Sequence, residues 1–309
     1  MKLEEYSSLK EKEQVFRSYQ VINNKQNLED YLASSPKNTL FRGLSEAKYK
    51  SYTSAQRFWL QKDVKDLYGY SYLIFVESLI DRIKNNQILS EYYESLHIPF
   101  SDINILCFLQ HYGAPSPLLD FTYKRDIALY FASESISYSS YCSGTNEIDN
   151  YLSIYSLDTH CVISYFDFYE MVIDLTAKKA KGARVVSKEN RFESYLAVSD
   201  IINNLGDDRY MLVSPQNSTR KNRCIGHQRF DTNIYIGNIN LVAQSGVLLL
   251  NASGSKPIRE SVMSCVDIHK SLLPIIYDAI KSIEYTKLFP KPEEIAQQAL
   301  NDALLTDER

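Results

Sequence analysis

Apolar residues recur at helical spacing through the first third of the chain. Leu28, Tyr31 and Leu32 share one face behind Asn27, a residue type suited to a helix N-cap, and Pro36 ends the segment. A longer helix is predicted where Leu73, Val76, Leu79, Ile80 and Ile83 line up. Asp102 is placed to cap a third helix, which carries Leu106 and Leu109 and stops at Gly113. Thr122 is placed to cap a fourth, in which Ile127, Tyr130 and Phe131 share a face. The stretch Thr39–Ser45 is short and β-like. From about residue 150 the period changes. Tyr151–Leu157, Met211–Val213, Ile234–Ile236 and Gly246–Leu250 are short runs rich in Ile, Val, Leu and Tyr, and they read as strands. Ser271–Ile283 returns to helix with Pro274 in its first turn, and Glu293–Leu305 is predicted as a last helix opened by Pro292.

Helices first and strands later, without βαβ alternation, predict an α+β fold. Its helical N-terminal part and C-terminal helices surround a mainly antiparallel sheet. Residues 1–24 read as an N-terminal helical extension, and residues 25–309 as a single α+β domain that includes the C-terminal helices. A hydrophobic fraction of 44% over 309 residues fills a substantial core, so disorder and coiled coil are excluded as the main description. The net charge of -4 argues against a protein that coats nucleic acid through bulk charge. Five cysteines lie far apart with no CxxC pair, which points to reduced, mostly buried thiols and to no zinc site. The N-terminus is charged and no apolar run reaches bilayer-spanning length, so the expected location is the cytoplasm, with no membrane contact. No phosphate loop, GxGxxG, GxSxG or HExxH occurs, and the five histidines show no metal-ligand spacing. The basic stretch Arg220-Lys221-Asn222-Arg223, with His227 and Arg229 nearby, is the most cationic place in the chain and reads as a solvated loop, the alternative being a contact for nucleic-acid phosphates or an acidic partner.

Two stretches carry chemistry. In Leu40-Phe41-Arg42-Gly43-Leu44-Ser45 an arginine on a strand precedes a glycine. The guanidinium forks onto phosphate or carboxylate oxygens, and the glycine permits close approach of a ligand. The bland alternative is a surface ion pair beside a turn. The second stretch runs from Gln110-His111-Tyr112-Gly113 through Leu118-Leu119-Asp120-Phe121-Thr122 into Ala128-Leu129-Tyr130-Phe131-Ala132. It delivers Asp120 and Thr122 to a helix start, a natural place for a ligand oxygen.

Together these motifs resemble the FRG domain, in which a "QHYG-P-T-R-LLD-W-T" stretch is followed by "ALYFA". The chain departs at Ser116-Pro117, where the family often has threonine and arginine, and at Phe121 in place of tryptophan. Ala243-Gln244-Ser245-Gly246-Val247 is similar to the family's "AQQG-F" segment, and Leu288-Phe289-Pro290 also fits the family. The resemblance implies a bacterial or phage protein. A weaker likeness links Arg42-Gly43, Asp120-Phe121-Thr122 and Gln244, in that order, to the three NAD-holding segments of ADP-ribosyltransferases. It implies an ADP-ribosyltransferase-like sheet and NAD as the substrate, with no metal. Arg42, Asp120 and Gln244 would be catalytic. Arg42, Gly43, Thr122 and Tyr130 would bind the nucleotide, Tyr130 by stacking on its base. Gln244 is neutral and cannot act as a general base, so Asp120 is the substitute if it faces the same cleft. The acceptor, protein or nucleic acid, and the oligomeric state stay open. The alternative is a non-catalytic interaction or ligand-sensing module in which the motif residues are structural and Arg42 pairs with Asp120 as a brace.

Overall fold

A computed structural model describes residues 3–34, 36–62, 64–96, 100–136, 146–164, 210–213, 224–225, 228–229, 239–291 and 293 of the chain. The strands are β1 (Ser18–Ile22), β2 (Thr39–Leu44), β3 (Leu118–Thr122), β4 (Tyr151–Asp158), β5 (Val162–Ser164), β6 (Tyr210–Val213), β7 (Cys224–Ile225), β8 (Gln228–Arg229), β9 (Gly246–Leu250) and β10 (Met263–His269). Eight of them form one open sheet in the order β1-β10-β4-β2-β3-β9-β6-β5, while β7 and β8 pair with each other. Within the large sheet the β1–β10 and β5–β6 pairs are parallel and the rest antiparallel. The α+β class and the mainly antiparallel sheet therefore stand as the sequence predicts.

The described helices are α1 (Leu9–Val15), α2 (Lys25–Ala33), α3 (Ser54–Gln61), α4 (Tyr72–Lys84), α5 (Gln87–Ser95), α6 (Asp102–His111), α7 (Arg125–Ser133), α8 (Ile239–Ala243), α9 (Leu273–Ile280) and α10 (Tyr285–Leu288). Alternation along the strands splits the core between the two faces of the sheet. On β3, Leu118 joins a cluster with Trp59, Phe75, Ile105 and Leu248, built on α3, α4 and α6. Its neighbours Leu119 and Phe121 join Leu40, Tyr155 and Leu249 in a different cluster. A third cluster packs α7 and α9 onto Phe41, Leu152 and Ile154. Each fully buried leucine in these layers contributes roughly 1.5–3 kcal/mol.

Several boundaries differ from the pattern-based expectation, for local reasons. The cap of α2 is Asn24, whose side chain accepts from the Asn27 amide at 2.9 Å, so Asn27 lies in the first turn. Ser101, not Asp102, caps α6. Thr122 closes β3 instead of capping α7, which starts at Arg125 behind Lys124. The C-terminal helical run shortens to a 3-10 turn, Lys270–Leu272, followed by α9. Residues 234–236, 294–305, 220–223 and 227 lie outside the described residues.

The segment set apart as a helical extension contains α1 and then β1, which pairs with β10 from Ser18↔Ser264 to Ile22↔Ile268. Lys12 of α1 pins this arrangement. Its ammonium contacts Asp267 Oδ1 at 2.6 Å, Ser153 Oγ at 2.8 Å and the Ala47 carbonyl at 2.9 Å, and both members of the ion pair are fully buried. Tyr19 donates to the other Asp267 oxygen at 2.7 Å. The three ammonium protons have three acceptors, so no polar capacity of Lys12 is left over. No helix among the described residues is long and apolar enough to cross a membrane.

Candidate functional site

A cleft of about 560 Å³ opens between α6 and α7, over β2, β3 and β9. Cys107, Gln110 and His111 line it from α6, Ala128 and Phe131 from α7, and Arg42, Asp120 and Thr122 from the strands. Asn240, Gln244 and Phe289 close its far side. Its volume falls in the range of small-molecule sites. Three segments distant in the chain thus meet at one place.

The site exists because β2 and β3 pair only at Phe41↔Thr122. Arg42 fills the gap, donating from Nη1 to the main-chain carbonyl of Asp120 at 2.8 Å. The side-chain brace between Arg42 and Asp120 that belongs to the alternative, structural reading takes the form of a bond to the backbone instead. That bond leaves Arg42 Nε buried with no hydrogen-bond partner among the described residues. Gln110 Nε2 donates to Asp120 Oδ2 at 2.6 Å. An ionised carboxylate only accepts, which fixes the amide orientation and turns Gln110 Oε1 away from Asp120. Oε1 is likewise buried without a partner among the described residues. Two buried polar atoms without a partner, on residues that line one cleft, each cost about 1–3 kcal/mol, a cost a ligand can remove.

Asp120 reaches solvent through the cleft but is surrounded by protein. Loss of hydration pushes its carboxyl above the ordinary range, and the Arg42 charge acts in the opposite sense. Burial lowers the Arg42 value, opposed by Asp120, but a guanidinium stays charged in proteins. His111 is held below its usual value by burial, and the Cys107 thiol is pushed up to about 12 by the same cause. The cleft floor therefore holds one carboxylate, one guanidinium, a neutral-leaning imidazole and an inert thiol.

Gly43 lines the cleft, but packing alone already requires it: a Cβ there would overlap the Ala128 carbonyl and sit 2.9 Å from the Ala132 nitrogen. The glycine lets α7 lie directly on β2. Thr122 is buried, donates to the Gln244 carbonyl at 2.8 Å and accepts from the Lys124 amide at 3.0 Å. Gln244 Nε2 donates to the Leu288 carbonyl at 3.1 Å. Tyr130 is not among the residues lining the cleft and packs toward the α9 cluster instead. Its neighbour Phe131 takes the cleft position, because one residue along a helix rotates the side chain by about 100°. Gln110 stands in the long motif without a role of its own in the sequence reading. Phe289 carries no local signal beyond its Pro290 neighbour. Among the described residues no group of three or more His, Cys, Asp or Glu side chains is arranged to hold a metal ion.

Comparison with known proteins gives one match: residues 37–140 fit the model of the FRG domain. No curated protein and no solved structure matches the chain. Arg42, Gln110, Asp120, Thr122 and Phe131 fall inside the matched segment, whereas Asn240, Gln244 and Phe289 come from beyond it. The protein therefore carries an FRG domain, and that domain supplies most of the polar floor of the cleft.

Proposed function

We propose that the cleft binds a nucleotide-type ligand, NAD, and that the protein cleaves its nicotinamide–ribose bond in the manner of an ADP-ribosyltransferase or NAD hydrolase. The observation that carries this reading is the convergence of Arg42, Asp120 and Thr122 with Gln244 on one cleft, where Arg42 and Gln110 keep buried polar atoms that have no partner among the described residues. Arg42 is the cationic contact for pyrophosphate or ribose oxygens. Asp120 is the carboxylate for the developing charge. When the C1′–N bond breaks, the electron pair leaves with neutral nicotinamide and positive charge builds on the ribose. A fixed carboxylate beside it lowers the barrier. Water or another acceptor then attacks C1′ and loses one proton, which balances the reaction. Asp120 takes this role because the amide of Gln244 is neutral and engaged with Leu288.

Nicotinamide release from NAD tests the proposal. The wild type should turn over. Asp120→Asn should lower kcat by two or more orders of magnitude, on the scale seen when a charge-stabilising group is removed. Release unchanged by Asp120→Asn would overturn this role. A second reading, a ligand-sensing module without turnover, draws on Thr122 and Gln244 both being committed to main-chain partners. It predicts NAD binding with no nicotinamide release in any variant.

A further inference from the structure

Phe289 reaches the cleft from a segment well beyond the FRG domain, and a chain of bonds holds it there. The Gln244 carbonyl accepts the Thr122 hydroxyl, and the Ser245 carbonyl accepts the Tyr123 amide at 3.1 Å. Ser245 adopts φ 47°, which turns the chain sharply from α8 into β9. The same turn sends the Gln244 side chain to the Leu288 carbonyl, at the end of α10. One residue thus bonds to the end of β3 through its main chain and to the C-terminal segment through its amide. The next ring, Phe289, meets Phe131 edge to face at 6.0 Å and 84°, and the Tyr285 ring lies tilted against it at 4.7 Å. Phe131 and Phe289 are both half-buried and both line the cleft beside Arg42 and Asp120.

We infer that Gln244 is a positioning residue that fixes the Leu288–Phe289 segment as the aromatic wall of the cleft, and that Phe131 and Phe289 receive the planar heteroaromatic ring of the ligand. The inference deepens the nucleotide reading and rests on it. Partly exposed ring surfaces next to a guanidinium and a carboxylate suit a ligand with a flat ring at one end and a polar sugar phosphate at the other. The negative faces of the phenyl rings favour an electron-poor or cationic ring, which describes the pyridinium of NAD better than adenine.

The test is calorimetry on the full chain with nicotinamide mononucleotide, AMP and ribose 5-phosphate, using Phe289→Leu and Gln244→Glu. Leucine keeps apolar bulk and removes the ring. Glutamate cannot donate to the Leu288 carbonyl. Each variant should weaken nicotinamide mononucleotide by roughly five- to tenfold and leave ribose 5-phosphate within about twofold. AMP should be affected less than the pyridinium probe. Equal losses for the ring-bearing and ringless probes, or none, overturn the inference, as does faster nicotinamide release by Gln244→Glu. A wild type that holds ribose 5-phosphate as tightly as nicotinamide mononucleotide overturns the aromatic wall alone. A wild type that binds none of the three overturns the nucleotide reading as well.

Discussion

Lys12 and Arg42 are both cations set deep against the same sheet, and their surroundings are opposite in kind. Lys12 has a paired carboxylate, a hydroxyl and a carbonyl for its three protons, and Asp267 in turn is bonded by Tyr19 and Ser153. Arg42 spends one nitrogen on a main-chain carbonyl and keeps Nε without a partner among the described residues, beside a cleft open to solvent. A closed polar network ties α1 and β10 together and has nothing left for a ligand. An incomplete one costs stability unless something else completes it. The difference sets a cation with all its protons engaged against one that keeps a buried donor facing a cleft, without reference to either motif.

The largest effect should come from the closed network. Lys12→Met leaves Asp267 buried without its counter-charge and should cost about 3–5 kcal/mol in urea unfolding. Replacing both partners, Lys12→Met with Asp267→Leu, should recover most of that loss. A Lys12→Met protein as stable as wild type would remove the contrast. Arg42→Met should cost less, about 1–2 kcal/mol, because it strips one hydrogen bond from the Asp120 carbonyl. A loss as large as that of Lys12→Met would make Arg42 another structural cation.

The smallest effect is a slope with pH. The folded-state value of Asp120 lies above that of the unfolded chain, with burial as the main cause. Stability from this group is therefore fully present below the ordinary carboxylate range, and it declines as pH rises through the raised value. Asp120→Asn removes that dependence. Thermal unfolding of the variant should improve relative to wild type as pH is raised from acid toward neutral, whatever offset the lost Gln110 contact imposes at any one pH. A variant that loses stability relative to wild type as pH rises would contradict the assignment.

The cleft was more legible in the sequence than the sheet edge was. Arg42, Asp120 and Thr122 sit in dense local motifs, so their residue types and order announce them. β10 does not announce itself: Ser264, Asp267 and His269 interrupt its apolar pattern, and Asp267 is buried only because Lys12 arrives from the other end of the chain. β1 alternates weakly, with most of its positions exposed or half-buried, and reads as a helical extension until its partner is known. Helix starts slipped by one to three residues because Asn27 and Asp102 favour caps, yet Asn24 and Ser101 precede them. Phe131 and Phe289 converge through tertiary packing alone, which no spacing rule encodes. Tyr130 is not among the lining residues for a related reason, since the motif names an aromatic but not the face it occupies.

Titration of NAD into three proteins by calorimetry tests the central claim most directly: wild type, Arg42→Met, and the Lys12→Met/Asp267→Leu double variant. The account predicts that wild type and the double variant bind NAD alike, while Arg42→Met remains folded and binds at least tenfold more weakly. Equal binding by wild type and Arg42→Met, or no binding by wild type, would contradict it.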